Sequence, residues 1–128
     1  MIRLHVTSVL VDDQDKALSF YTNVLGFVKK NDVPVGDARW LTVVPANGPA
    51  DVELLLEPLG FGPARTYQRA LFDAGIPLTL FATDDIRKEH ARMTGLGVAF
   101  RTPPTEMGPV TIAMFEDTCG NLIQLVQL

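Results

Sequence analysis

Cysteine is nearly absent from this chain: Cys119 is the only one in 128 residues. One thiol cannot close an internal disulfide, so the fold must be held by its own core, and the expected compartment is cytoplasmic. Histidine is almost as scarce, with only His5 and His90. That excludes a histidine-rich metal constellation, the commonest basis of catalytic zinc sites. There is no block of Lys or Arg beyond the adjacent Lys29 and Lys30, and the formal charge is −4. Nucleic acid and anionic membrane are therefore not expected as partners. No apolar run approaches the roughly 20 residues of a membrane span. Met1-Ile2-Arg3-Leu4 leads directly into a strand-like run, with no secretory signal pattern. A phosphate-binding glycine loop is also lacking, since Gly60-Phe61-Gly62 is too short and follows the wrong element.

What the chain does have is a repeat. Val11-Asp12-Asp13 matches Thr83-Asp84-Asp85, and Leu25-Gly26-Phe27 matches Leu96-Gly97-Val98. Val33-Pro34 matches Pro103-Pro104, and Val52-Glu53-Leu54 matches Ile123-Gln124-Leu125. The matches keep their order at an offset of about 71 residues, which points to two copies of one supersecondary unit. A chain of this length makes one domain in which the two copies share a core.

Residues 4–11 read as a buried strand. Asp12 and Asp13 offer helix caps, Ala17 to Leu25 has helical spacing, and Gly26 stops the helix. Strands are expected near 27–32, 39–44 and 51–57, with Pro34-Val35-Gly36 as a turn. A connector at 58–75 carries a helix from Ala64 to Ala74. The second copy follows with a strand at 77–83, a helix at about 85–95, and strands near 98–102, 109–116 and 121–127. The fold class is α+β: a single domain, 1–128, of two β-α-β-β-β modules (1–57 and 76–128) joined by the connector.

Paired modules of this kind resemble the vicinal oxygen chelate superfamily of glyoxalases, extradiol dioxygenases and bleomycin-resistance proteins. Phe20-Tyr21 with Leu25-Gly26-Phe27, and the ending Gly120-Asn121-Leu122-Ile123-Gln124-Leu125, carry the likeness. The resemblance implies strands curled into a cup with the helices outside, and assembly as a homodimer. It also implies four ligand positions in metal-dependent members, on the first and last strands of each module. Glu53 and Gln124 occupy the last-strand positions. Counting back from each Asp pair puts Val6 and Leu78 at the first-strand positions, with His5 on the opposite face unless a bulge turns it inward. One carboxylate and one amide are too few for a transition metal. No cofactor is therefore expected; the alternative is a divalent metal on His5, Glu53 and Gln124.

The remaining wall follows from alternation. Ser8 and Leu10 share a face with Val6, Leu80 with Leu78, and Leu55 with Glu53. Trp40, Met107, Met114 and Phe115 are placed to border the mouth, with Met107 in a proline-bounded loop read as a rim or lid. In apolar surroundings the Glu53 carboxyl should titrate above its usual range and could act as a base. His90 reads as part of a solvated helix face, and Cys119 as a turn residue open to solvent. The expected function is metal-free capture of an apolar or aromatic small molecule, with antibiotic sequestration as one form of it. The alternatives are a metal-dependent dioxygenase, lyase or isomerase, and a cofactor-free enzyme with Glu53 as catalytic base.

Overall fold

Asp13 and Asp85 play the same part in the two halves of the chain. Each has non-helical backbone, and its side chain accepts from the N–H three residues on: Lys16 at 3.0 Å and Lys88 at 3.1 Å. These bonds cap the two module helices. Each helix is followed by a glycine in the left-handed region, Gly26 at φ +85° and Gly97 at φ +89°, where a β-carbon would be strained.

The structure, a computed structural model, describes every residue from Met1 to Leu128. The element order is β1 (Val6–Val11), α1 (Gln14–Ser19), a π-helical turn (Phe20–Val24), β2 (Phe27–Val35), β3 (Ala38–Pro45) and β4 (Glu53–Pro58). Then follow α2 (Gly62–Ala74), β5 (Thr79–Ala82), α3 (Ile86–Gly95), β6 (Phe100–Met107), β7 (Val110–Glu116) and β8 (Leu122–Gln127). The chain divides into two units, Met1–Ala64 and Arg65–Leu128, so the division falls inside α2. Each unit has one mixed four-stranded sheet, in the orders β1-β4-β3-β2 and β5-β8-β7-β6. The first and last strands of a unit are parallel neighbours, and the remaining pairs are antiparallel. This is the α+β architecture the repeat implies. No helix is long and apolar enough to cross a membrane.

In the first unit one sheet face carries Val9, Val11, Leu41, Val43, Leu54 and Leu56, all buried. Burying such aliphatic side chains stabilises by about 1.5–3 kcal/mol each. Helix α1 covers this face. Ala17 and Tyr21 are buried with it, and the Gln14 amide donates to the carbonyls of Arg39 (2.8 Å) and Leu56 (2.9 Å). Arg39 adds a forked pair to Asp32 (3.0 Å on each oxygen) and an ion pair to Asp15.

In the second unit Ala113, Phe115, Ile123 and Leu125 form the buried face, with Ile86 and Met93 of α3 also buried. His90 is not simply a solvated helix residue. Its ring meets Phe100 edge-on at 4.5 Å, and Phe100 in turn meets Phe115 at 5.6 Å. The turn before β8 is closed by Asp117. Its Oδ1 accepts from the N–H groups of Cys119 (2.8 Å) and Asn121 (3.0 Å), and Oδ2 accepts from the Asn121 amide (2.7 Å). Gln68 of α2 donates to the Cys119 carbonyl (3.1 Å) and to Asn121 Oδ1 (2.9 Å). Cys119 is consequently buried, contrary to its reading as an open turn residue.

The prolines are the main departure from expectation. Pro34 lies within β2, and Pro103 and Pro104 lie within β6, rather than in turns. Both are edge strands, where an outward-facing proline removes no ladder hydrogen bond. The rim loop expected around Met107 is instead the end of β6. Met107 pairs with Val110 across a tight hairpin at Gly108, whose φ is +62°.

Candidate functional site

Glu53 begins β4, and its backbone N–H donates to the His5 carbonyl at 2.9 Å. This bond sets the register of the parallel pair. Val6 stands beside Glu53, Ser8 beside Leu55, and Leu10 beside Glu57. Partners in adjacent strands share a face, so Val6, Ser8, Leu10, Glu53 and Leu55 line the sheet face opposite α1. His5 lies one residue before β1 and is exposed. In β3, Thr42 pairs with Leu55 and lies on this face, and alternation places Trp40 there too. Trp40 is 39% exposed and pairs with Val33, itself exposed.

Strand β2 supplies what alternation alone does not predict. Its register against β3 shifts between Lys29 and Asn31, the signature of a bulge. Beyond the shift Asn31 pairs with Thr42 and reaches the same face. The Asn31 amide donates to Glu53 Oε1 at 2.8 Å, and the Thr42 hydroxyl donates to the same oxygen at 2.8 Å. Lys30, inside the shifted segment, donates to the Ala50 carbonyl at 2.8 Å and places its ammonium 3.6 Å from Glu53 Oε2.

This arrangement reverses the expected titration of Glu53. The Thr42 hydroxyl holds the carboxyl below its usual range, with Asn31, Lys30 and His5 acting in the same direction. Burial pushes the other way and is outweighed. Glu53 is only 6% exposed, yet the two donors on Oε1 and the nearby Lys30 ammonium favour its charged form. A base role built on a raised pKa loses that support.

In the second unit Leu80 pairs with Gln124, and Gln124 pairs with Met114. Leu80, Gln124 and Met114 therefore share the face turned away from α3, and the Met107–Val110 pair continues it. Leu80 is 56% and Met107 55% exposed. Of the expected wall residues, Leu78 keeps the face of Leu80 but is not the register partner of Gln124, and Phe115 leaves that face. Strand β5 starts at Thr79, so the neighbour of Gln124 is Leu80 and not Leu78, whose N–H goes to the Leu122 carbonyl. Phe115 follows Met114 in one strand and must point the opposite way; it is fully buried against Phe100.

These residues do not fit a resident metal. No three His, Cys, Asp or Glu side chains gather in one group. The register partners of Glu53 and Gln124 are Val6 and Leu80, which have no donor atoms. Oε1 of Glu53 is taken by two hydrogen bonds, and the nearby positive charge is an ammonium. Thr42, Asn31 and Lys30 were absent from the expected site. Thr42, a polar residue inside Leu41-Thr42-Val43-Val44, gave the same signal as Glu53. The other two depend on the β2 bulge.

A family model described as the Glyoxalase/Bleomycin resistance protein/Dioxygenase superfamily matches residues 3–125. The uncharacterized protein YurT of Bacillus subtilis (strain 168) is 53% identical over 126 residues, covering 98% of this chain and 99% of its own. Among solved structures, UcmS2 is 32% identical with a TM-score of 0.86, covering 100% of this chain and 99% of its own. TnmS3, an antibiotic binding protein from Streptomyces sp. CB03234, is 34% identical with a TM-score of 0.77, covering 99% of this chain and 96% of its own.

Proposed function

This chain belongs to the Glyoxalase/Bleomycin resistance protein/Dioxygenase superfamily, and on that footing we propose that it captures an apolar or aromatic small molecule without a resident metal. The observation that carries the reading is the environment of Glu53. At a position where metal-dependent relatives are expected to present a ligand, Oε1 of the carboxylate accepts from Thr42 and Asn31, and the Lys30 ammonium stands 3.6 Å from Oε2. Around it the face is apolar, with Val6, Leu55 and the part-exposed ring of Trp40. An apolar surface with a few placed polar groups is the usual make-up of a small-molecule site. The 34% identity to an antibiotic binding protein supports an antibiotic-like natural product as ligand.

The test has two arms. Protein purified without chelator or histidine tag is analysed for metal, before and after addition of Fe²⁺, Mn²⁺, Ni²⁺ and Zn²⁺ followed by desalting. The same protein is titrated with polycyclic aromatic antibiotics while the emission of Trp40, the only tryptophan, is recorded. Near-zero metal with saturable quenching and no turnover is the expected result. Stoichiometric metal that survives desalting overturns the metal-free reading and revives the metal-dependent alternative.

A further inference from the structure

The two oxygens of Glu53 are not equivalent. Oε1 accepts from both Thr42 and Asn31, each at 2.8 Å. Oε2 accepts no hydrogen bond from the protein; its nearest cation, the Lys30 ammonium, stands off at 3.6 Å. No fully enclosed side-chain oxygen or nitrogen lacks a hydrogen bond, so Oε2 borders open space. A side chain only 7% exposed thus presents one unfilled acceptor to the outside. An unfilled ionic acceptor in such a site is costly unless water or a ligand donor completes it.

Charge selects the kind of donor. The ionisable groups on and beside this face are Glu53, Glu57, Lys30 and His5. An anionic ligand would meet two carboxylates. A cationic one would meet the Lys30 ammonium, which already neutralises Oε2. A neutral hydroxyl avoids both penalties. Geometry adds the ring. Trp40 and Thr42 lie two residues apart on one face, or about 7 Å along the strand, and Thr42 touches Glu53. A fused aromatic laid along this face from Trp40 past Thr42 turns its terminal hydroxyl toward Glu53.

We infer that this site selects neutral hydroxyaromatic ligands, with Glu53 Oε2 accepting from the ligand hydroxyl and Trp40 supporting its rings. The inference rests on the capture reading above, and the two can fail separately. The probes are 2-naphthol and 2-methoxynaphthalene, the second being the same body with its donor removed. Each is titrated into ¹⁵N-labelled protein at neutral pH, following the Trp40 indole N–H and the Asn31 side-chain amide. The expected result is that both shift the indole and that 2-naphthol binds about 10-fold or more tightly, the scale of a hydrogen bond to a charged group. In Glu53→Gln that preference falls several-fold. Equal affinities for the two probes in the wild-type protein overturn the donor inference while leaving capture intact, and this comparison needs no variant to fold. A preference that survives in Glu53→Gln overturns the assignment to Glu53. If neither probe moves the Trp40 indole, capture of small aromatics by this face fails and the inference falls with it.

Discussion

Thr42→Val isolates the hydrogen bond that most strongly holds Glu53 ionised. Valine nearly matches threonine in volume, so no cavity opens, but the hydroxyl is lost. Thr42 is fully buried, and its bond to Glu53 Oε1 is 2.8 Å. A hydrogen bond to a charged group contributes about 1.5–3 kcal/mol, and one pKa unit corresponds to about 1.36 kcal/mol. The Glu53 carboxyl should therefore rise toward its ordinary range, with a stability loss of about 1.5–3 kcal/mol near neutral pH. Glu53 has a depressed folded pKa. Its stabilising contribution is complete above the unfolded value and disappears as the pH falls through the folded one. The cost of Thr42→Val should shrink in the same direction, toward the about 0.5–1.5 kcal/mol of a neutral hydrogen bond. Urea denaturation from about pH 7 to about pH 3 gives the stability, and ¹³C titration of the Glu53 carboxyl gives the pKa. A loss that is the same at both ends of the range, or a carboxyl that does not move, refutes the reasoning.

Trp40→Ala should weaken ligand binding by about 30-fold, the scale of a central aromatic anchor, with little change in the urea midpoint, since the ring is 39% exposed. Calorimetric titration checks it. Gln68→Ala removes the hydrogen bonds that the Gln68 amide donates to the Cys119 carbonyl and to Asn121 Oδ1 in the turn before β8 and should cost about 1–3 kcal/mol, read by urea denaturation. The Arg39 guanidinium holds Asp32 at about 2. Stability should therefore decline as the pH falls from about 4 to about 2. In Arg39→Ala that decline should shrink, because the Asp32 carboxyl returns toward its ordinary range and differs less from the unfolded chain; NMR titration of Asp32 reads the return directly.

The parts of the fold visible in the sequence were those fixed by short-range chemistry. Asp13 and Asp85 cap helices because their side chains reach the third N–H, and Gly26 and Gly97 follow them because the chain turns through positive φ. Simple alternation also placed Val6, Ser8 and Leu10 on one face with Glu53 and Leu55. What escaped depends on pairing register. The β2 bulge moves Lys30 and Asn31 onto Glu53, and that reversed the expected titration of its carboxyl. The start of β5 exchanges Leu78 for Leu80 as the neighbour of Gln124. The prolines of β2 and β6 read as turns because a single sequence does not show that both strands lie at a sheet edge. Met114 and Phe115 cannot border one mouth, since consecutive strand residues face opposite ways.

The closed turn around Cys119 makes the surface of this chain chemically silent toward thiol reagents. Its one sulfur is buried in a turn where the Cys119 N–H donates to Asp117 and the Cys119 carbonyl accepts from Gln68, and a thiol reacts only when it is reached as thiolate. A cysteine introduced at an exposed position, such as Ser8→Cys on the candidate face itself, would carry a fluorophore or spin label without competition. The slow labelling of Cys119 itself would then serve as a clock for local opening of the turn.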